Sequence, residues 1–403
     1  MNGMGEKGRY LRPVSWLYDA AVAAFSLCWT LLFRARYDNK GIKGLEGPFI
    51  AVCNHPSNLD GVTAMLALKK YKMNIVVAEF YFRNRALSWF FRKIGAIPKS
   101  QFTSDVKTIQ SILRVVRDGG SVLIFPGGQT SFAGISTYIH PGIAKLVKKL
   151  RVPVVNLHIE GSYFTFPKWR NHIRPGRVAV SASILYTPEQ LDAFSCDEIE
   201  QGIKDAVAYD EYALQERKRE RYLGAKNAEG LHTILYICPE CGAEFAMRAR
   251  HSRLWCESCG HGVSLNRYGL FEGEKGGAPR FKSPADWYRW QLEQLKGQTR
   301  REGFELRTRA RIWLHNRLRG GYRFLGRGEA VLNREGFFFQ GVRHKSNEAF
   351  TISIPSKNLP AIPSLPGYHI KICHPDGMYM LKPENGLHAI QWVLAQDIFT
   401  GTY

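Results

Sequence analysis

The sequence predicts an α/β protein with a mixed, mostly parallel sheet flanked by helices, followed by a small cysteine module and a β-rich C-terminal domain. Three observations lead to this fold class. Apolar strand-like runs alternate with amphipathic helical runs over residues 41–185, as in parallel sheets with crossover helices. Two Cys-x2-Cys pairs lie within residues 236–271. The last hundred residues are short apolar runs separated by Gly, Asn, Asp and Pro.

A chain of 403 residues is too long for one ordinary core, and the changes of pattern along it predict several domains. The predicted segments are an N-terminal helical segment (1–40), an α/β domain (41–195), a charged helical connector (196–230), the cysteine module (231–271), a linker helix (272–303) and the β domain (304–403).

The first segment contains an apolar run at residues 13–33, long enough to just span a bilayer. No small-residue cleavage site follows it, which disfavours a signal peptide. Its polar residues share one helix face, because their spacings are 4, 7 and 4: Ser15, Asp19, Ser26 and Thr30. This predicts a membrane-associated helix that lies deep in the interface or packs its polar stripe against protein. A buried core helix is the alternative.

The formal net charge is +21, from 56 Lys and Arg against 35 Asp and Glu. Solubility does not require so much positive charge, so we expect a polyanionic partner, either an anionic membrane surface or nucleic acid. Aromatic residues alternate with Lys and Arg at 80–93 and 163–170, the pattern expected at lipid headgroup depth. A hydrophobic content of 45% excludes wholesale disorder.

The α/β domain is predicted to contain five strands, at residues 48–53, 75–78, 121–125, 153–159 and 177–185, and three helices, at 61–70, 105–117 and 140–150. The first strand runs directly into Asn54-His55-Pro56-Ser57-Asn58-Leu59-Asp60, and the third is closed by Pro126-Gly127-Gly128. Polar and glycine-rich residues at these two strand ends make them the candidate site.

Residues 54–60 resemble the N-H-x4-D motif of the glycerolipid acyltransferases, the family typified by 1-acylglycerol-3-phosphate acyltransferase. Three further blocks follow in the family's order, at residues 95–99, 125–131 and 152–157. The resemblance covers about residues 41–190. It implies transfer of a fatty acyl group from acyl-CoA or acyl carrier protein to a hydroxyl of a lysophospholipid-like acceptor.

His55 is the predicted general base, since an imidazole titrates near neutral pH. Asp60 would accept a hydrogen bond from the other ring nitrogen and fix the tautomer. The nucleophile is the acceptor's own hydroxyl, so no Ser or Cys intermediate is required. The alternative is an ordinary polar pair at a strand end.

The resemblance implies these substrate-binding residues: Asn54, Lys99, Phe125, Pro126, Gly127, Gly128, Gln129, Thr130 and Ser131. The third block departs from the family's F-P-E-G-x-R-S pattern, because Gly127 replaces its glutamate and Gln129 or Thr130 its arginine. That arginine is assigned to the acceptor's phosphate. Lys99 or Lys145 could supply the charge instead, or the headgroup could lack a phosphate there.

Two further alternatives arise from this block. The amides of Gly127 and Gly128 could stabilise an oxyanion, or the pair could form only a tight turn. The departure also admits a different function, a catalytically inactive, acyltransferase-like lipid-binding scaffold or sensor.

The cysteine module has the spacing C-x2-C-x14-C-x2-C, which matches a zinc ribbon with ligands Cys238, Cys241, Cys256 and Cys259. Four thiolates leave no open coordination position, so the zinc would be structural; an iron site or a redox pair is the alternative. A module of about 35 residues needs metal to fold. Reduced thiolates indicate the cytosol, and with the N-terminal helix they predict the cytoplasmic face of the cell membrane.

Basic residues between the two cysteine pairs would also suit nucleic acid: Arg248, Arg250, His251 and Arg253. No recognition helix follows them, so we favour an intramolecular bracket or a grip on another protein over nucleic acid. A third reading, a nucleic-acid-associated zinc protein, stays as an alternative.

The last segment is predicted to contain seven short strands, at residues 311–314, 322–325, 329–332, 337–340, 349–354, 368–373 and 378–381. A final helix follows, with Leu387, Ile390, Leu394 and Ile398 on one face. Asp376-Gly377 is a hairpin signal between the last two strands. This arrangement resembles the pleckstrin-homology-like (PH-like) or GRAM-type fold, which implies lipid binding.

Overall fold

The computed structural model describes residues 12–99, 105–139, 142–315, 321–374 and 377–402. The chain divides into two compact units. The first comprises residues 1–131, 135–165 and 175–211, and the second comprises 132–134, 166–174 and 212–403.

The first unit is built on a seven-stranded sheet. Its strands are β1 Arg36–Gly41, β2 Ile50–Cys53, β3 Asn74–Ala78, β4 Ile97–Lys99, β5 Val122–Ile124, β6 Val154–Glu160 and β7 Ala179–Tyr186. Its helices are α1 Ser15–Phe33, α2 Asp60–Ala67, α3 Arg85–Lys93, α4 Val106–Arg117, α5 Gly142–Leu150, α6 Ser162–Thr165, α7 Pro188–Ala193 and α8 Cys196–Ala206; α9 Glu211–Lys218 begins at the unit's last residue.

The strand order is β1-β7-β6-β2-β5-β3-β4. Strands β6, β2, β5, β3 and β4 run parallel, while β7 is antiparallel to β6 and β1 is parallel to β7. The predicted mixed, mostly parallel sheet is confirmed. The sequence did not predict β1, whose residues are largely polar, or β4, which is three residues long and contains Pro98.

Helix α1 packs on α2 through an aromatic face, not through the predicted polar stripe. Tyr18, Trp29 and Phe33 are buried, and the Trp29 indole Nε1 donates to Thr63 Oγ1 at 2.9 Å. Asp19, in the polar stripe, is exposed and pairs with Lys72. The predicted arrangement in which the polar stripe packs against protein is therefore wrong, because aromatic rings bury more apolar area than the short polar side chains.

The predicted charged connector is also different, because α8 belongs to the first unit. Ile199, Ile203 and Val207 recur every four residues and join the core beneath the sheet. The charged residues of α8 lie on its outer face, which made the whole segment look solvated. A capping box at Ser195 and Glu198 begins the helix. The boundary predicted at residue 195 moves to about Glu211.

The second unit contains a four-stranded antiparallel sheet in the order β11-β10-β9-β8. Its strands are β8 Met247–Arg250, β9 Arg253–Cys256, β10 Gly262–Leu265 and β11 Phe271–Gly273. Helix α10, Pro284–Thr299, packs against the same segment. The Gln291 amide oxygen accepts from the backbone N–H groups of Tyr236 and Ile237, and its Nε2 donates to the carbonyl of Ile234. The predicted linker helix is thus bonded to the cysteine module.

The C-terminal sheet also has seven strands, all antiparallel, in the order β15-β14-β13-β12-β18-β17-β16. They are β12 Leu306–His315, β13 Tyr322–Asn333, β14 Gly336–Arg343, β15 Ala349–Pro355, β16 Ser364–Leu365, β17 His369–His374 and β18 Gly377–Pro383, followed by α11 His388–Phe399. This resembles the expected layout, while the PH-like assignment itself stays a prediction.

Two predicted strands, at 322–325 and 329–332, form the single strand β13. The sequence indicated a break at Gly326-Arg327-Gly328, but these glycines lie inside the strand. A Cβ at Gly326 or Gly328 would overlap the carbonyl oxygen of Val342 or Gln340 on β14. Glycine here permits close approach of two strands and does not mark a turn. Two other predicted positions, His140 and Asp376, lie outside the described residues.

Candidate active site

The candidate site lies where three neighbouring parallel strands end. His55 follows β2, Phe125 follows β5 and Gly161 follows β6. Because β5 and β6 pair with β2 on its two sides in the same direction, their carboxyl ends meet at one edge of the sheet. This edge is the usual location for ligands in open α/β sheets.

The His55 ring and the Asp60 carboxylate form a hydrogen-bonded pair, with Nδ1 and Oδ2 2.9 Å apart. The Asp60 side chain has no solvent exposure, whereas 21% of the His55 side chain is exposed. Since a carboxylate only accepts, Nδ1 carries the proton and Nε2 keeps its lone pair. The partly exposed imidazole therefore has the tautomer that a general base requires.

Two other donors hold the Asp60 carboxylate in place. The backbone N–H of Ser57 donates to Oδ2 at 2.6 Å, and the Ser162 hydroxyl donates to Oδ1. Asp60 is also the first residue of α2, where negative charge is favourable. These donors hold the Asp60 carboxylate in one orientation.

The first and third sequence blocks are joined around His55. The Phe125 ring stacks on the imidazole, with centroids 4.2 Å apart and planes 26° apart. The backbone N–H of Ser131 donates to the His55 carbonyl at 3.2 Å, and Thr130 Oγ1 donates to Asn58 Oδ1 at 3.3 Å. Phe125, Thr130 and Ser131 thus lie beside the predicted base.

The Asn54 side chain lies between the ends of strands β2 and β6. Its side chain is buried, its Nδ2 donates to the carbonyl of Ile159 at 2.8 Å, and its Oδ1 accepts from the Ile159 N–H at 2.8 Å. Both ends of the amide are engaged by β6. Asn54 therefore joins the ends of β2 and β6. Its contact with substrate stays a prediction.

The Gly127-Gly128 pair forms a turn. The Gly128 N–H donates to the Phe125 carbonyl at 3.0 Å, and its φ of +64° is in the left-handed region that favours glycine. The Gly128 N–H is thus used within the turn, which favours the tight-turn alternative over an oxyanion contact for this amide. A Cβ at Gly127 would overlap Thr137 Oγ1, so the family's glutamate fits here only if Thr137 moves.

The remaining predicted substrate contacts are less closely tied to His55. Pro126 is buried and Gln129 half-buried in the loop after β5. Lys99 is exposed at the end of β4. Strands β5 and β3 separate β4 from β2, which places Lys99 about 14 Å along the same edge at ordinary strand spacing. Lys145 is exposed on α5.

Ser162 and Glu211 were missed from the sequence. Glu211 is buried and accepts hydrogen bonds from the Gly161 N–H at both carboxyl oxygens, at 3.0 and 2.8 Å. Burial raises the pKa of Glu211 to about 8. A Gly-Ser pair directly after a predicted strand could have pointed to Ser162. Glu211 had no such signal, because it lies in a long charged segment.

The four cysteines of the module converge. Their Sγ atoms all lie within 4.8 Å of one another. Two of the separations are 3.7 Å, for Cys238 to Cys259, and 3.8 Å, for Cys241 to Cys256. A tetrahedron with Zn–S bonds of about 2.3 Å has edges of about 3.8 Å, so the thiols fit zinc. Gly242 and Gly260 have positive φ and close the two knuckles, as predicted.

Three of the four basic side chains between the two cysteine pairs have acidic neighbours. Arg248 pairs with Glu257 at 2.9 Å, and Arg253 donates through Nη2 to Glu274 at 3.0 Å. The His251 ring lies 3.8 Å from Glu229. These carboxylates compete with any phosphate, which favours the intramolecular bracket over nucleic acid binding.

Comparison with known proteins supports an enzyme domain. Residues 34–160 match the Acyltransferase family model, described as acyltransferase. A 1-acyl-sn-glycerol-3-phosphate acyltransferase of Bacillus subtilis (strain 168) is 20% identical over 145 residues, which are 36% of this chain and 72% of that protein.

Two solved structures are similar to parts of the chain. The 1-acyl-sn-glycerophosphate acyltransferase PlsC of Thermotoga maritima is 20% identical, with 48% of this chain and 78% of that chain covered and a TM-score of 0.39. The Ran binding domain of Nup2 from Ashbya gossypii is 13% identical, with 24% and 97% covered and a TM-score of 0.19.

Proposed function

We propose that this chain, which carries a domain of the glycerolipid acyltransferase family, transfers a fatty acyl group from acyl-CoA or acyl carrier protein to a hydroxyl of a lysophospholipid-like acceptor. The observation that carries this proposal is the His55–Asp60 pair at the carboxyl end of β2, with its ring held for base catalysis.

In this mechanism the acceptor hydroxyl donates a hydrogen bond to Nε2 of His55 and attacks the thioester carbonyl of the donor. Nε2 takes the hydroxyl proton as the new C–O bond forms, and Asp60 stabilises the resulting imidazolium. When the tetrahedral intermediate collapses, the C–S bond breaks and the imidazolium returns the proton to the leaving sulfur. The products are an ester and a free thiol.

The acceptor differs from a simple glycerol phosphate bound by the family's arginine. Thr130, one of the two positions that align with that arginine, is buried and bonded to Asn58. The exposed ammonium of Lys99, at the same edge of the sheet, is the cation proposed to contact an acceptor phosphate.

Release of free thiol from acyl-CoA, measured with a panel of lysolipids, tests the proposal. We expect thiol release that depends on one class of lysolipid and is lost in His55→Ala. Lysolipid-dependent release that persists unchanged in His55→Ala would remove His55 from the mechanism. No turnover with either donor would favour the scaffold alternative.

The proposed site of action is the cytoplasmic face of the cell membrane. Among the described residues, one helix, α1, is long and apolar enough to cross a bilayer. Its face opposite α2 exposes 68% of Trp16, 64% of Leu27 and 71% of Leu31. A contiguous exposed apolar face of this size indicates a membrane or protein contact.

Basic side chains of the C-terminal sheet also support the proposed membrane association. On its outer face Arg311 of β12 lies directly opposite Arg327 of β13 and Lys382 of β18. Like charges in opposite positions destabilise a sheet, so an anionic partner would relieve them. At the next position on that face the charges are opposite, because Arg309 of β12 lies across from Glu329 of β13. Exposed Val342, in register with Arg327, lies at one end of this basic row.

Replacing Leu27 and Leu31 together by Glu should reduce membrane association, because both side chains leave water when α1 meets lipid. We expect at least a tenfold loss of binding to anionic vesicles, since two leucines contribute about 3 kcal/mol or more. Flotation of the full chain with vesicles measures this. The matched control is Ser26→Glu and Thr30→Glu on the polar stripe. Equal binding by the Leu variant and wild type would contradict the membrane role of α1.

A further inference from the structure

We infer that Glu211 is a positioning residue of the active site. Through the Gly161-Ser162 turn it holds the Asp60 carboxylate, and through Asp60 the ring of His55, in the orientation that acyl transfer needs. This inference rests on the proposed function. Glu211 lies outside residues 34–160, which the family model matches.

The first contact is between Glu211 and the turn. The Glu211 carboxyl group is fully buried, and both of its oxygens accept from the single N–H of Gly161. The backbone of Tyr163 also donates to it. Gly161 has a φ of +79°, so the chain reverses sharply after β6 in a conformation that glycine favours. Glu211 therefore fixes the backbone N–H of Gly161 in the turn that leads into α6.

The second contact is between the turn and the catalytic pair. Ser162, the residue after Gly161, donates its hydroxyl to Asp60 Oδ1. The Ser162 carbonyl in turn accepts from Thr165 Oγ1 at 2.6 Å. Asp60 Oδ2 bonds to His55, and Oδ1 bonds to Ser162. A change in the turn would therefore alter the position of Oδ1, and with it the carboxylate that orients the imidazole.

The segment that carries Glu211 is anchored to the loop of the third block. The Ser136 N–H donates to the Tyr209 carbonyl at 3.0 Å, and the Tyr209 N–H donates to Ser136 Oγ at 2.7 Å. Ser136 follows closely after Ser131, whose N–H bonds to the His55 carbonyl. Residues 209–211 thus bridge the two loops on either side of His55.

Burial of the Glu211 carboxyl group costs free energy, and filling the space in the core does not require a carboxyl group. Burial, and after it the neighbouring carboxylates Asp60 and Glu160, raises the pKa of Glu211 to about 8. Tyr163 and Tyr209 are the other titratable side chains near it. A buried carboxyl beside another carboxylate is more typical of an active site than of a core.

The test compares Glu211→Ala and Glu211→Gln in the full chain, with Glu216→Ala, an exposed position on the same helix, as the control. We expect Glu211→Ala to lower kcat about tenfold to a hundredfold with KM within about threefold. Glu211→Gln keeps one acceptor oxygen and should retain more activity than Glu211→Ala. The control should match wild type.

The pH profile separates positioning from mere stability. In the wild type, ionisation of Glu211 near pH 8 adds negative charge beside Asp60, so log kcat should show an inflection there. The Glu211→Gln profile should lack it. A wild-type kcat and profile in folded Glu211→Ala would overturn the inference, as would failure of both variants to fold. If His55→Ala stays active, the proposed mechanism itself fails, whatever Glu211 does.

Discussion

Replacing His55 by Ala is expected to lower kcat about a thousandfold or more, with the protein still folded. The imidazole takes the acceptor's proton in the transition state, a contribution usually worth about 10²–10⁴. Its ring is partly exposed and bonded to the rest of the chain mainly through Nδ1, so its removal leaves the Asp60 contacts to Ser57 and Ser162 in place. Steady-state kinetics of thiol release measures the loss.

Asp60→Asn is the informative companion to His55→Ala. An amide in place of the carboxylate could donate to Nδ1 and move the imidazole proton to Nε2, which would block the base. We expect a loss of about a hundredfold or more in kcat. Asn58→Ala, at an exposed position whose Oδ1 accepts from Thr130, serves as the control from the same loop. Near-normal kcat in Asp60→Asn would exclude the proposed role of Asp60.

Replacing Cys256 by Ser is expected to remove zinc and unfold the cysteine module. A segment of about 35 residues is too short to form a sufficient core of its own, so the proposed zinc would supply much of its stability. Metal analysis should give one zinc per wild-type chain and less than about one tenth in the variant. Hydrogen exchange should show loss of protection in β8, β9 and β10.

Cys28→Ser is the control for the metal experiment, because Cys28 is exposed on α1 and distant in sequence from the four thiols. It should keep one zinc per chain. Iron in place of zinc would correct the metal identity. A protected module without any bound metal would contradict the structural role of the four cysteines.

The chemistry at the strand ends could be predicted from sequence because it is local. His55 and Asp60 lie five residues apart, and a short strand followed by the first turn of α2 is sufficient to bring them together. The four cysteines were predictable for the same reason, since each knuckle is formed by two residues three apart.

The supporting residues could not be predicted, because their contacts join distant parts of the chain. Ser162 meets Asp60 across 102 positions and Glu211 meets Gly161 across 50. The contacts of the Asn54 amide could not be predicted for the same reason. Its position in the motif is local information, but the backbone of Ile159, which engages its amide, is 105 residues away.

Sequence polarity misled where only one face of an element is polar. Helix α8 and its C-cap residue bury three apolar side chains beneath a charged surface, and α1 turns its aromatic face to the protein. Glycine is common in turns, so Gly326 and Gly328 predict a break in the strand. In the structure they lie within β13 and let it approach β14 closely. These outcomes depend on tertiary packing, which overrides local preference.

The most direct test of the central claim is to follow the acyl chain itself. Purified protein would be incubated with acyl-CoA or acyl carrier protein bearing a deuterated chain, and with lysolipid in vesicles. Mass spectrometry would then identify the products. We predict a diacyl lipid that carries the deuterated chain, formed in equal amount to the released thiol and absent with His55→Ala. Free deuterated fatty acid as the only product, or no labelled lipid with any acceptor, would contradict acyl transfer by this site.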